Sequence, residues 1–441
     1  MTSTSRLAAV LMGLLAPAAP AAGQLTALLP DPAAAVESAE VPGFTRWFLR
    51  DLEPVLQEGL RAGITPGLAL VIGEGGRVVF ARGYGRTDEG PESAPVTERT
   101  LFDLASLTKV AATTVAVMLL VEDGRLDLDA PVSTWLGGWP ATGAHGGITL
   151  RHLLDHTSGL PEGAPVWRMG DDRAARIGVL GRLPLHALPG ERELYSDLGP
   201  ILAGWVVEAV TGEPLDVFVD REVYRPLDMT RTRFRPLEAG VPPEEVAPTD
   251  LVSGHARAGR YRGVVHDPNA RALGGVAGNA GLFASAEDLA VLASALLWER
   301  PLRLVCRDVL RDFTRRTDRG TRFAAGWERP ARWSFWSEVL GDGAFGHGGF
   351  TGTTLWIDPA RDVFVVLLTS RLAGQATEDD YRRFRRDVFE AVRRGVLRPE
   401  RPMEGEWRLH LDEWRSPDGC RGERGGALLA ELPFGLLVPR G

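Results

Sequence analysis

The chain is almost devoid of lysine. Of its 50 basic residues, Lys109 is the single lysine and the other 49 are arginine. Wherever a positive charge alone suffices, arginine has been used. A lysine differs chiefly in that a desolvated ammonium can lose its proton, which a guanidinium does not do in practice. Lys109 is therefore a candidate for chemistry before any motif is considered. Cysteine is scarce too: Cys306 and Cys420 are the only two in 441 residues. That is too few for a disulfide framework, and they do not form a paired-Cys zinc spacing. A basic excess is also missing. The net charge of −8 argues against a nucleic-acid partner. There is no fixed-period repeat, and the 52 Gly and 31 Pro stay below the share that marks low-complexity chains. The G-x-S-x-G, H-E-x-x-H and G-x-x-x-x-G-K patterns are all absent. No cofactor or metal is expected.

What is present begins with an export-like N-terminus. Arg6 supplies a positive start, Leu7 to Leu15 an apolar core, and Ala21-Ala22-Gly23 the small residues before a cut. This predicts a signal peptide at 1–23 and an exported mature chain with no membrane span, the apolar run being shorter than about 20 residues. An oxidising location would permit Cys306 and Cys420 to pair; two unrelated thiols are the equal alternative. Residues 24–40 read as a Pro/Ala-rich linker.

A helix is predicted over 44–60, where Phe48, Leu52, Val55, Leu56 and Leu60 recur at three- and four-residue spacing. Residues 68–72 and 77–80 flank Glu74-Gly75-Gly76 as a β-hairpin. Residues 104–121 form an apolar helical run ending at Asp123-Gly124. The middle, about 125–302, mixes short helices with Pro/Gly-rich loops. Two strands (352–358 and 363–369) and a last helix (378–394) follow. Strands at both ends around a helical middle predict an α+β chain: one sheet built from distant halves with a helical region inserted.

Ser106-Leu-Thr-Lys109 opens the apolar run, and residues three apart share a helix face. A serine hydroxyl needs a neighbouring base to become a nucleophile, and a desolvated lysine can be one. With 15 serines in the chain, chance places one there about 3% of the time. The bland reading is a serine cap beside a solvated lysine, which the apolar neighbours Leu104, Leu107 and Val110 disfavour. Gly341-Asp-Gly-Ala-Phe-Gly346 matches G-x-G-x-x-G, but a strand follows it, so it reads as a turn.

Tyr195-Ser196-Asp197 and His347-Gly348-Gly349 follow Ser106-x-x-Lys109 in order. In this the chain resembles the serine β-lactamase and penicillin-binding-protein superfamily, in its class C-like, esterase-like branch. That family carries S-x-x-K, Y-x-N and K-T-G or H-x-G. Similar surroundings are Arg151–Leu160 and Gly278–Phe283, and the likeness spans 41–398. His145-Gly146-Gly147 also matches H-x-G; it precedes a helix start, whereas His347 precedes an alternating strand, so His347 is taken.

The resemblance implies a β-lactamase/transpeptidase-like fold, an antiparallel sheet flanked by helices, and a serine hydrolase forming an acyl-enzyme on Ser106. Lys109 would take the serine proton. Tyr195 would help activate Ser106 and protonate the leaving group, and His347 would stabilise an anionic substrate end or the Tyr195 network. The backbone N–H groups of Ser106 and Phe350 would form the oxyanion hole, and Gly348 and Gly349 would let substrate lie close to the strand. Asp197 departs from the family asparagine: an ionised carboxylate only accepts hydrogen bonds, and beside Lys109 it favours the ammonium.

Val265–Ala270 and Leu273–Gly278 are similar to secreted cell-wall members, the penicillin-binding protein 4B-like carboxypeptidases and muramoyl-alanine amidases. Loop capping is the plainer reading of His266 and Asp267. The expected substrate is a small molecule or peptidoglycan peptide. An esterase or β-lactamase on the same residues, and a lapsed binding protein of the same fold, are the alternatives. The C-terminal segment 399–441 has no assigned role, and no oligomeric state is assigned.

Overall fold

A computed structural model of the chain describes residues 46–88, 93–250, 261–298, 304–315, 322–331 and 334–395. The signal-peptide and linker segments, the segment after 398 and Cys420 lie outside the described residues.

Twelve strands are described. They are β1 (Gly67–Glu74), β2 (Arg77–Gly85), β3 (Phe102–Asp103), β4 (Arg233–Phe234), β5 (Pro248–Asp250), β6 (Tyr261–Arg262), β7 (Leu282–Ala284), β8 (Phe323–Ala324), β9 (Trp327–Glu328), β10 (Phe345–Gly348), β11 (Thr354–Asp358) and β12 (Val363–Thr369). Seven of them form one antiparallel sheet in the order β2-β1-β12-β11-β10-β9-β8. The N-terminal hairpin thus pairs directly with the last strand, as Val71 opposite Val366 shows. The sheet is assembled from both chain ends, as the pattern of elements predicted.

The hydrophobic alternation explains why both faces are covered. In β12, Phe364, Val366 and Leu368 enter one core while Val363, Val365 and Leu367 enter another. Successive side chains of a strand point to opposite faces, so every β12 residue is buried because each face has its own layer. One layer is α1 (Arg46–Arg61) with α7 (Glu378–Gly395), through Leu52, Leu56, Phe384 and Val388. The other is the helical middle. It includes α2 (Val115–Glu122), α3 (Leu150–Leu154), α4 (Leu198–Thr211) and α6 (Ala286–Leu297), while α5 (Pro268–Ala272) packs through Ala270 in a smaller cluster with Val265 and Phe283.

The run predicted as one helix over 104–121 is three pieces. Ala105–Leu107 is a tight 3₁₀ turn, Lys109–Thr114 a widened π turn, and only then does α2 begin. Wide turns of this kind recur at functional sites. The stretch Ala105–Glu122 is apolar and long enough to cross a membrane, but here it is buried as the central core helix. The Gly341–Gly346 match does run into strand β10, which confirms it as a turn.

The helical layer is held against this core element by close backbone contact. Gly278 lies against α4: a Cβ there would sit 2.0 Å from the Pro200 carbonyl oxygen. Its own carbonyl accepts the Thr113 hydroxyl at 2.8 Å. Backbone cannot step aside as a flexible side-chain end can. Gly278→Ala is expected to destabilise the protein by about 1–3 kcal/mol through overpacking. Urea titration of wild type and variant checks this, and an unchanged midpoint would contradict the packing described.

Candidate active site

Three backbone segments meet beside β10. The first is the turn before the core helix. Ala105 has φ +45°, a left-handed conformation costing a non-glycine residue of order 1–3 kcal/mol. Its N–H is fixed by the Asp103 carboxylate at 2.9 Å. This bend leaves Ser106 partly exposed while Ala105 and Leu107 are buried, and Lys109 is only 2% exposed.

The second segment carries Tyr195, and His156 holds it from both sides. The His156 carbonyl accepts the Leu194 N–H at 2.7 Å, and its Nδ1 accepts the Ser196 N–H at 3.1 Å. The two rings lie 4.4 Å apart between centroids, with Phe323 packed edge-on to His156. Burial, reinforced by Lys109, His347 and Arg322, pushes the His156 pKa well below its ordinary value. It is therefore a neutral ring accepting at Nδ1. His156 had no role in the sequence reading; the only signal was its place inside the family-like Arg151–Leu160 stretch.

The third segment is β10 and the turn after it. Facing residues of an antiparallel pair share a sheet face, so His347, opposite Leu355, points to the helical layer as Leu355 does. Gly349 is required by packing against the serine loop. A Cβ there would lie 2.3 Å from the Leu104 carbonyl oxygen and 2.1 Å from Thr353 Oγ1. The room made by this glycine is thus taken by protein rather than kept open for substrate. A Cβ on Gly348 would meet the Arg385 guanidinium at 3.3 Å. Thr353 and Thr351 tie the turn down, their hydroxyls donating to the Leu104 and Asp103 carbonyls at 3.0 and 2.6 Å. Phe350 is half exposed at the rim, with the Arg371 guanidinium 4.5 Å from its ring centroid and His266 stacked at 5.3 Å.

At the centre, Lys109 Nζ lies 2.7 Å from Ser106 Oγ and 2.7 Å from Asp197 Oδ1. The Tyr195 ring centroid is 4.9 Å from the same nitrogen. Burial alone would pull the lysine pKa down, but Tyr195 and Asp197 together outweigh it, so Lys109 is held above its ordinary value as an ammonium. Asp197 sits at the N-cap of α4, where aspartate normally accepts a helix N–H. Its side chain makes no such bond, and the Leu198 N–H is served instead by Ser196 Oγ at 3.2 Å. The carboxylate is turned to the lysine.

His347 Nδ1 donates to the Gly348 carbonyl at 2.7 Å. Burial, then the Lys109 charge, then Arg322 push its pKa down to about 3 against that carbonyl. The ring is neutral, and Nε2 is a buried acceptor without a partner among the described residues. A neutral acceptor does not suit an anionic substrate end, and of the two roles implied for His347 the Tyr195 network is the one that fits. Their ring centroids are 6.2 Å apart.

The competing His145 lies in a short helix with its Nε2 2.9 Å from the Leu183 carbonyl and its ring near Trp139, as a structural histidine. Asp267 caps α5, accepting the Ala270 N–H at 2.7 Å, which is the loop-capping role. Among the described residues no cluster of His, Cys, Asp and Glu could hold a metal ion.

A family model described as Beta-lactamase matches residues 52–388. The chain belongs to the beta-lactamase family. It is 34% identical over 369 residues to a Bacillus subtilis (strain 168) protein named N-acetylmuramyl-L-alanine amidase, covering 76% of this chain and 83% of that one. An Escherichia coli (strain K12) protein named "Putative D-alanyl-D-alanine carboxypeptidase" is 30% identical, covering 76% and 85%. Among solved structures, the octameric penicillin-binding protein homologue from Pyrococcus abyssi superposes with a TM-score of 0.62 at 23% identity, covering 78% of this chain and 76% of that one. The hydrolase EstCE1 also gives 0.62, at 24% identity, covering 78% and 98%. This beta-lactamase-family chain is a serine hydrolase related to peptidoglycan enzymes.

Removing one partner of a buried pair costs about 3–5 kcal/mol when the other charge is stranded. A stranded lysine can escape that cost by losing its proton. Asp197→Asn is therefore expected to lower the Lys109 pKa, move the acidic limb of the pH–rate profile to lower pH and raise the rate near neutrality. A loss of about a hundredfold or more in kcat/KM would contradict this and show that the carboxylate itself takes part in the chemistry.

Proposed function

We propose that this hydrolase works through an acyl-enzyme on Ser106 and acts on peptidoglycan-type peptides, as a D-alanyl-D-alanine carboxypeptidase or a muramoyl-alanine amidase. One observation carries the catalytic part: the single lysine of the chain is buried and donates to Ser106 Oγ at 2.7 Å. The names of relatives at 30–34% identity over most of the chain support the substrate class.

In the resting site Lys109 is an ammonium, which orients Ser106 but cannot accept its proton. The Tyr195–Lys109 pair accepts the proton leaving Oγ by holding a single proton between its two heteroatoms: with Lys109 as the ammonium the Tyr195 phenolate takes it, and where Tyr195 has drawn the Lys109 proton the resulting amine takes it. The same group then protonates the leaving amine, so the pair returns to its starting state. His347 borders the same pair as a neutral ring, its centroid 6.2 Å from that of Tyr195. The N–H groups of Ser106 and Phe350 receive the oxyanion, where losing one donor costs about 10²–10³ in rate. Export of the mature chain belongs to the same reading, supported by the pattern of residues 1–23.

Ser106→Ala is expected to abolish turnover and labelling by a fluorophosphonate or fluorescent penicillin while leaving the melting curve near wild type, since loss of a small polar group at a helix start costs about 0.5–2 kcal/mol. Turnover that survives this change would overturn the nucleophile. Lys109→Arg should be nearly as damaging as Lys109→Ala, because arginine stays protonated. Near-normal rates with arginine would restrict Lys109 to an electrostatic role. Parallel kcat/KM measurements on a D-Ala-D-Ala peptide, a muramoyl-peptide, a cephalosporin and a p-nitrophenyl ester establish the substrate class. A preference for the ester or the cephalosporin would overturn the peptidoglycan reading.

A further inference from the structure

Asp103, at the end of β3 and three residues before Ser106, has no part in the proton transfers above, yet three loops of the site hang on it. Its Oδ1 accepts the Ala105 N–H at 2.9 Å. Its Oδ2 accepts the His266 N–H at 2.7 Å. Its main-chain carbonyl accepts the Thr351 hydroxyl at 2.6 Å. β3 is itself anchored by pairing with β7, Asp103 opposite Phe283.

The bonded partners are informative. Ala105 directly precedes Ser106, and Thr351 directly follows Phe350, so two hydrogen-bond partners of Asp103 each adjoin an expected oxyanion donor. The bond to Ala105 falls on a residue at φ +45°, a conformation that surrounding structure has to enforce. The bond to His266 fixes the loop whose ring stacks on Phe350. Asp103 is 3% exposed. Burying a carboxyl there is unfavourable unless it is fully hydrogen-bonded, and both of its oxygens are occupied by N–H donors of the site.

We propose that Asp103 is the positioning residue of the oxyanion hole, holding the Ser106 and Phe350 N–H groups in one geometry through Ala105 and Thr351. The proposal rests on Ser106 being the nucleophile. Because the oxyanion exists only in the transition state, misplacing its donors lowers kcat and leaves KM nearly unchanged. Burial raises the Asp103 pKa to about 6, with Asp267 adding to the rise and the two N–H bonds and Arg271 opposing it. Besides Asp267 and Arg271, the imidazole of His266 belongs to the same loop; the turn after β10 contributes Phe350 and Thr351, which do not titrate there. Protonated Asp103 is a weaker acceptor for two N–H groups, so kcat falls as the pH drops below about 6.

The test measures kcat and KM on p-nitrophenyl acetate from about pH 4 to 8 for wild type, Asp103→Asn, Thr351→Val and Ser106→Ala. Asp103→Asn keeps one acceptor and sets an NH₂ against the other N–H. It is expected to lose about tenfold to a hundredfold in kcat, less than outright deletion of a donor, with KM within about twofold. The acid inflection near pH 6, distinct from the limb that Lys109 sets at higher pH, should vanish from its profile. Thr351→Val is expected to lose about tenfold in kcat while keeping that inflection, because its carboxyl is intact. Normal kcat in both variants, a change confined to KM, or an unaltered inflection in Asp103→Asn would overturn the proposal. Should Asp103→Asn fail to fold, Thr351→Val and the wild-type inflection decide in the same way. Inactive Ser106→Ala beside normal Asp103→Asn would strike the proposal alone. Active Ser106→Ala would overturn the nucleophile and the proposal together.

Discussion

The buried ammonium of Lys109 is the constraint on which the rest of the site depends. A charge this deeply buried is tolerated only if it is paired and hydrogen-bonded, and both conditions are met by elements far apart in the chain. Asp197 arrives at the N-cap of α4 and leaves that helix end to Ser196 for capping. Ser106 arrives on a strained turn, and Tyr195 on a loop clamped by His156. Without these partners, burial would favour the neutral amine of the lysine.

The sheet supplies the rigid frame. Both of its faces are covered, so β12 and most of β1 are buried and cannot slip by one residue without sending every core side chain into the opposite layer. Register therefore fixes which way His347 points. Gly349 then allows the end of β10 to approach the serine loop more closely than any side chain would permit. Threonine hydroxyls, satisfied by carbonyls of that loop, lock the approach. The nucleophile and the expected oxyanion donors thus sit at a helix start and just after a strand end, which suits an oxyanion hole whose donors must not rearrange during reaction.

Charge is arranged as carefully as shape. His347 and His156 are both neutral, because burial and the nearby Lys109 charge disfavour a second cation. Beside the nucleophile, the Lys109 ammonium is paired to the Asp197 carboxylate. The sheet-side arginines lie behind this: Arg385 stacks on Trp336 and Tyr381, and Arg371 on Phe350.

The sequence by itself determined more of this protein than its irregular middle suggests. The lone lysine three places after a serine, the order of the three motifs, and strands at both chain ends required no coordinates. They led to the family, to the antiparallel sheet, and to Ser106, Lys109, Tyr195, Asp197 and His347 gathered in one place. Hydrophobic period and motif order are local properties, and these features depend on them. Tertiary structure alone decided the rest. The broken 3₁₀–π–α course of residues 105–122, the clamp of His156 on Tyr195, and the uncharged state of His347 arise from contacts across long sequence separations. The reason Gly349 is a glycine lies in the backbone of Leu104, and the importance of Asp103 lies in His266 and Thr351. No periodicity within a single segment encodes which distant carbonyl or N–H will be buried beside it.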